Sequence, residues 1–295
     1  MRALRIHGYG GADVMRIEDV PVPQPSSGEV LVRVRAASVN PIDWKMRQGL
    51  LARIFPLQFP RTLGRDCAGE VDGRLVAGVA DPLRDGTHAD FAVLPEAAMA
   101  SVPEGLDAAA AASLCISGVS AWLPLVEIAG VRPGMRVLVH AGAGGVGSLA
   151  IQIAHALGAT VVATSTHIDY CRSLGADRVV NYRSEDFTDA GPFDVVLDTL
   201  GGKAHLRSLP ALAPGGLLVA LSAAPIPPHE PRSDVRVHHA RIQVTRERLE
   251  RIFAWVMSGK LKPQVTRRFA LEDAVAAYVA CEASHGRGKI VLDIA

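Results

Sequence analysis

With 295 residues, 49% of them hydrophobic, and a formal net charge of +1, the chain has the make-up of a water-soluble protein with one large or two modest cores. The near balance of charge and the lack of a long basic run argue against a nucleic-acid surface. No signal-like apolar region opens the chain and no uninterrupted apolar stretch reaches the ~18 residues of a membrane span, which points to the cytoplasm. Cys67, Cys115, Cys171 and Cys281 are far apart and form no C-x-x-C pair, so neither a disulfide framework nor a structural zinc cluster is suggested. Four free thiols suit a reducing compartment.

Taken in order, the chain predicts short strands at 2–7, 15–20 and 29–36. The last alternates Val30, Val32 and Val34 with Arg33 and Arg35, as a half-buried strand does. Asn40-Pro-Ile-Asp-Trp-Lys then places Pro41 in the first turn of a short helix carrying Asp43, Trp44 and Lys45. Residues 62–72 read as turn and strand, and 74–79 and 88–94 as further strands, so an all-β lobe comes first. From 107 to 127 the pattern becomes an Ala-rich helix, interrupted around Ser117-Gly-Val-Ser120.

Residues 137–166 carry the clearest signal. A short apolar run ends in clustered glycines, an apolar pattern of helical spacing follows (Val146, Leu149, Ala150, Ile153, Ala154, Leu157), and a second apolar run closes the unit. Gly142, Gly144 and Gly147 fit G-x-G-x-x-G. In such a strand-turn-helix the first glycine permits the tight turn, the second lets a pyrophosphate approach the backbone, and the third lets helix and strand pack closely. The helix N-terminus then offers unpaired N–H groups to the phosphates.

The alternation continues with a helix at 168–174, strands at 178–181 and 194–198, a helix at 203–212 and a strand at 216–221, which implies a doubly wound parallel sheet. Residues 223–234 hold four prolines and read as a loop. Residues 235–244 read as a further strand with Val235, Val237, Ala240, Ile242 and Val244 alternating inward. An amphipathic helix at 246–257 and strands at 261–269 and 290–294 around a helix at 271–283 complete the chain.

With Asn40-Pro-Ile-Asp-Trp-Lys, the glycine turn ending at Gly147, Ser173-Leu-Gly-Ala-Asp177, Asn181-Tyr182-Arg183 and Arg287-Gly-Lys-Ile-Val-Leu292 in order, the chain resembles the medium-chain dehydrogenase/reductase superfamily. Within it, the zinc-independent quinone oxidoreductases and enone reductases are most similar. The resemblance implies an α/β fold with a GroES-like β-rich catalytic domain (1–113 and 259–295), a Rossmann domain (114–258), a cofactor cleft between them and a homodimer joined at the Rossmann sheet edge. Where zinc members carry ligands, this chain has Asn40-Pro-Ile-Asp43 and Gly64-Arg65-Asp66, with Cys115 near a third position. One cysteine does not make a site that needs three protein ligands, so no metal is expected. Between 70 and 90 the chain is shorter than such relatives, consistent with a trimmed hairpin and a more open substrate mouth.

NAD-specific folds place an acidic residue about 20 positions after the glycines. Here the second strand ends Thr164-Ser165-Thr166-His167, with no carboxylate before Asp169. Hydroxyls and an imidazole donate to a 2′-phosphate, so the residues read as NADP(H)-binding. The resemblance adds Tyr182, with Arg183 or Arg172 for charge, at the adenosine end. It adds Asn40, Ser120, Thr199, Ser222, Gly288 and Lys289 at the nicotinamide end, beside the turn itself (Gly142, Gly144, Gly145, Val146, Gly147).

Expected catalytic groups are Lys45, Asn40 and Asp43, with Trp44 lining the substrate pocket; a surface lysine paired with Asp43 is the plain alternative for Lys45. The function expected is NADPH-dependent hydride transfer to a quinone or an α,β-unsaturated carbonyl. The alternatives are an enoyl reductase on a carrier-bound or secondary-metabolite substrate and a non-catalytic NADPH-binding protein. No catalytic role is expected of His140 or His155, and His88 reads as an exposed polar residue with no special role, an approach to the substrate side being the alternative.

Overall fold

The strand-turn-helix-strand unit of the sequence is realised as strand Arg136–Val139, helix Gly145–Ala156 and strand Thr160–Thr164. A computed structural model describes residues 1–221, 228, 230, 232–283 and 286–294. Ser222, expected at the nicotinamide, lies outside the described residues. The chain divides into two compact units, Met1–Ile116 with Val244–Met257 and Pro263–Ala295, and Ser117–Gln243 with Ser258–Lys262.

The second unit holds six parallel strands in the spatial order Arg178–Val180, Thr160–Thr164, Arg136–Val139, Phe193–Asp198, Leu212–Ala220, Arg236–His239. Numbered along the chain, that order is 3-2-1-4-5-6, the doubly wound arrangement in which ligands sit beyond the carboxyl ends of the first and fourth strands, where the strand order reverses. The apolar strand residues Leu138, Val162, Val180, Val196 and Leu218 are buried together, as a sheet covered on both faces requires.

Three expectations are corrected here. The helix read as broken at 117–120 runs unbroken over Ala108–Trp122 and continues as a π-helical turn, Leu123–Ile128. A helical glycine costs about 1 kcal/mol, which burial of Leu114, Cys115, Val119 and Ala121 around Gly118 offsets. The widened turn falls at Pro124, whose carbonyl accepts from Ala129 N at 2.9 Å. This 21-residue stretch, Ala108–Ile128, is long and apolar enough to cross a membrane, yet most of it is buried within the protein, as in a core helix.

The second correction concerns 235–244, where only Arg236–His239 forms a strand and all four residues are exposed. With Arg236, His238 and His239 in a four-residue run at a sheet edge, no inward face forms. Third, the helix Arg246–Met257, expected with the nucleotide domain, groups with the first unit. Leu249, Ile252 and Phe253 are buried, and Arg246 donates to the carbonyls of Met99 and Glu96 at 3.3 and 3.0 Å.

The first unit is β-rich. Strand Arg2–Ile6 lies between Met15–Asp19 and Arg61–Thr62. A second sheet runs Val265–Ala270, Lys289–Asp293, Glu29–Val39, Asp66–Val71, Arg74–Val79, Met99–Ser101, with Phe91–Pro95 also paired to Glu29–Val39. The trimmed region is a tight hairpin: Asp66–Val71 and Arg74–Val79 pair antiparallel across Asp72-Gly73, both at positive φ (48° and 75°). Two such residues are what the two-residue turn matching strand twist demands.

His88, read from the sequence as exposed, is fully buried in this unit. Its Nε2 lies 3.2 Å from the Ser38 carbonyl, and the Tyr278 hydroxyl lies 3.1 Å from Nδ1. The carbonyl can only accept, so Nε2 carries the proton and Nδ1 accepts from tyrosine, fixing a neutral ring. Burial pushes its pKa down to about 4. The unfolded chain therefore binds the proton first, and stability is lost as pH falls from about 6.5 towards 4. At about 1.4 kcal/mol per unit, wild type should lose about 2 kcal/mol more than His88→Gln between pH 7 and pH 5. Denaturant titrations of both proteins at the two pH values check this; equal losses would contradict it.

Candidate functional site

The glycine turn follows strand Arg136–Val139 through His140 and Ala141. The left-handed residue of the turn is Ala141 (φ 51°), not Gly142. Gly142 is required for a different reason: a Cβ there would stand 2.8 Å from the Ala163 Cβ on the neighbouring strand. At Gly147 a Cβ would stand 2.2 Å from the Ala141 carbonyl oxygen and 2.8 Å from the Gly142 Cα, the close helix–strand approach expected of the third glycine.

Gly144 precedes the helix in an extended conformation, and among the described residues no side chain caps that end. The N–H groups of the first turn, at Gly145, Val146 and Gly147, have no intrahelical partner. They form an uncapped, electropositive helix end beside a strand-order reversal, which fits a dinucleotide pyrophosphate.

The expected ribose-end residues separate. Thr164 is buried: its Oγ1 accepts from Ala141 N at 3.1 Å and lies 3.2 Å from His140 Nδ1. Ser165 is buried too, its Oγ accepting from His167 N at 2.9 Å. Thr166 is the first half-exposed hydroxyl past the strand. Tyr182 is 52% exposed, and Arg172 and Arg183 are exposed.

At the end of the fourth strand, Asp198 is fully buried and accepts from the backbone N–H of Leu200 and Gly201 at 2.9 and 2.8 Å, with His205 Nδ1 at 2.9 Å. Thr199 donates to the His140 carbonyl at 3.1 Å, which ties the fourth strand's end to the first's. Ser120 is buried on the helix Ala108–Trp122.

The first unit contains a buried polar cluster built around Asn40. Lys289 Nζ donates to Asn40 Oδ1 at 2.6 Å and to the Val39 carbonyl at 3.3 Å. Asn40 Nδ2 donates to Asp66 Oδ1 at 2.9 Å, and the same oxygen accepts from Ser38 Oγ at 2.6 Å. Asp66 Oδ2 accepts from Ile116 N at 3.2 Å. Gly288, at φ 57°, is held against strand backbone: a Cβ there would stand 2.2 Å from the Gln264 carbonyl oxygen. The chain thereby delivers Lys289 into the cluster.

Asp43 Oδ2 accepts from Asn40 N at 2.7 Å at the start of helix Pro41–Arg47, while Oδ1 is buried with no hydrogen-bond partner among the described residues. Burial, then the nearby Asp66 carboxylate, pushes its pKa up to about 7. Lys45 forms no ion pair among the described residues; its Nζ lies 5.6 Å from the centre of the Trp44 ring. Trp44 packs half-buried against the core. Asn40, Asp43 and Lys289 therefore meet, and Lys45 with Trp44 stands on the same short helix.

The same cluster decides how zinc would fit. The stretches 40–43 and 64–66 stand where the family resemblance places metal ligands, and Asn40, Asp43 and Asp66 are engaged with other partners. Cys67 and Cys115 lie close by, with Cys115 Sγ 3.9 Å from the Cys67 carbonyl. With the Lys289 ammonium already in place, this donor set does not fit the ion. Asp66, Ser38 and the His88–Tyr278 pair are the residues that sequence reasoning missed as a unit. Their sequence signal was limited to Asp66 standing in the former ligand motif.

A family model described as an alcohol dehydrogenase GroES-like domain matches residues 26–78, and one described as a zinc-binding dehydrogenase matches residues 174–292. A chloroplast envelope quinone oxidoreductase homolog of Arabidopsis thaliana is 30% identical over 99% of this chain and 98% of its own. An NADPH-dependent alkenal/one oxidoreductase of the same plant is 33% identical over 99% of this chain and 79% of its own. Among solved structures, the quinone oxidoreductase from Coxiella burnetii superposes with a TM-score of 0.91 at 31% identity, covering 100% of this chain and 99% of that one. The chain belongs to the medium-chain dehydrogenase/reductase superfamily, in its quinone oxidoreductase group.

Proposed function

We propose that this protein is an NADPH-dependent, zinc-independent reductase of quinones or α,β-unsaturated carbonyls. What carries the reading is the uncapped helix end at Gly145–Gly147, set at the reversal of strand order, in a chain whose relatives are named for quinone and alkenal/one reduction. Gly142, Gly144 and Gly147 shape the turn, and the first-turn N–H groups hold the pyrophosphate. When bound, the dinucleotide supplies the hydride.

The chain's own contribution is position and charge. Asn40 is held rigid by Lys289 on one side and Asp66 on the other, so its amide is fixed for the nicotinamide end. Asp43, with its pKa near 7, is largely neutral in mildly acidic solution and does not cancel the charge of Lys45. The Lys45 ammonium then stabilises the oxyanion that develops on the substrate carbonyl, an effect of several kcal/mol in a dry site, and Trp44 walls the substrate. The exposed edge strand Arg236–His239 supports pairing with a second copy of the chain.

Steady-state oxidation of NADPH with 9,10-phenanthrenequinone and a panel of enones tests the reading. Turnover on one of these classes is expected; tight NADPH binding with no turnover on either favours a non-catalytic binding protein. Lys45→Ala should lower kcat/KM at least tenfold while leaving NADPH affinity within about twofold. An unchanged kcat/KM would make Lys45 a surface residue only. Because Thr164 and Ser165 turn inward, selectivity falls to Thr166: Thr166→Asp should move the NADPH-to-NADH affinity ratio about tenfold towards NADH, and an unmoved ratio would contradict this assignment.

A further inference from the structure

Thr164 stands where a dinucleotide-binding fold reads the ribose, yet its hydroxyl is buried and engaged with the glycine turn. The partners fix a direction for every proton along the chain of hydrogen bonds that starts there. Ser208 Oγ donates to the Ala204 carbonyl at 2.8 Å, which uses its single proton. His140 Nε2, 2.8 Å from the same oxygen, must therefore be the donor in that contact. A ring this deeply buried is neutral, so Nδ1 is bare and accepts from Thr164 Oγ1 at 3.2 Å. Thr164 Oγ1, having donated, accepts from Ala141 N at 3.1 Å.

Four hydrogen bonds thus run one way, from Ala141 N–H through Thr164, His140 and Ser208 to the Ala204 carbonyl. They join the ends of the first and second strands to the helix Gly202–Ser208. The backbone of His140 is tied as well, its N–H donating to the Leu197 carbonyl at 3.1 Å and its carbonyl accepting from Thr199. The residue gripped at the head of the relay is Ala141, which holds a left-handed φ that residues other than glycine rarely adopt. Strain of this kind persists only where its surroundings over-determine it.

We infer that Thr164, His140 and Ser208 are positioning residues that hold the Ala141 turn in its dinucleotide-ready shape, and that Thr164 takes no part in telling NADPH from NADH. This rests on the proposed dinucleotide function and deepens it. It replaces the sequence expectation that the Thr164 hydroxyl meets the 2′-phosphate. Thr164→Val keeps the shape of the side chain and removes both the acceptor for Ala141 N and the donor for His140. Thr164→Ser restores both. Ser208→Ala cuts the far end of the relay while leaving the Thr164 contact to Ala141 intact.

The test is calorimetric titration of wild type and these three variants with NADPH and with NADH, well below each variant's Tm. Thr164→Val should weaken both dinucleotides at least fivefold with their affinity ratio unchanged. Thr164→Ser should return to within twofold of wild type, and Ser208→Ala should weaken both by a smaller factor. Loss confined to NADPH would overturn the inference in favour of a 2′-phosphate contact. A lowered Tm with unchanged affinities in Thr164→Val would overturn it in favour of a purely structural role. Should Thr164→Val not fold, unchanged affinities in Ser208→Ala would overturn the inference. Wild type binding neither dinucleotide would remove the underlying functional reading, a result distinct from all of these.

Discussion

A helix that starts against the strand preceding it admits no side chain at the crossing point. At Gly147 a single added carbon would lie 2.2 Å from the Ala141 carbonyl, and at Gly142 it would lie 2.8 Å from the next strand. This contact sets the direction of helix Gly145–Ala156 relative to strand Arg136–Val139, and hence where the uncapped N–H groups point. The 3-2-1-4-5-6 strand order reverses beside the first strand, the place beyond the carboxyl ends where such sheets take their ligands. Packing, not a charged side chain, shapes this helix end.

Two hydrogen-bonded polar groupings hold the candidate site residues, one in each unit. Behind the glycine turn, His140 links Thr164 to Ser208. Around Asn40, the Lys289 ammonium and the Asp66 carboxylate hold the amide from opposite ends. Buried polar groups are costly when unpaired and rigid when paired, so each grouping exchanges side-chain freedom for a fixed geometry.

Much of the fold was legible in the sequence because period and punctuation agree there. Strand Arg74–Val79 and helix Arg246–Met257 coincide with their predicted spans, and Pro41 opens its helix as its missing N–H allows. Local rules failed where tertiary burial outweighs propensity. Gly118 reads as a break yet lies inside a buried helix, and Val237 reads as inward yet belongs to a short, exposed edge strand. For the site, residue types were legible but partners were not. Asn40, Asp43 and Lys289 could be named, whereas the cluster joining Asn40 to Asp66 and Lys289 spans 26 and 249 residues of sequence. The inward turn of Thr164 depends on a histidine 24 positions earlier and a serine beyond it, a link that no spacing rule carries.

The central claim is that the backbone at Gly145–Gly147 is the dinucleotide phosphate site. A crystal structure of the protein with bound NADPH tests it most directly. Pyrophosphate oxygens within hydrogen-bond distance of the N–H groups of Gly145, Val146 or Gly147, with the Ala141 turn unchanged, are the expected result. A pyrophosphate held elsewhere, with that helix end left to solvent, would contradict it.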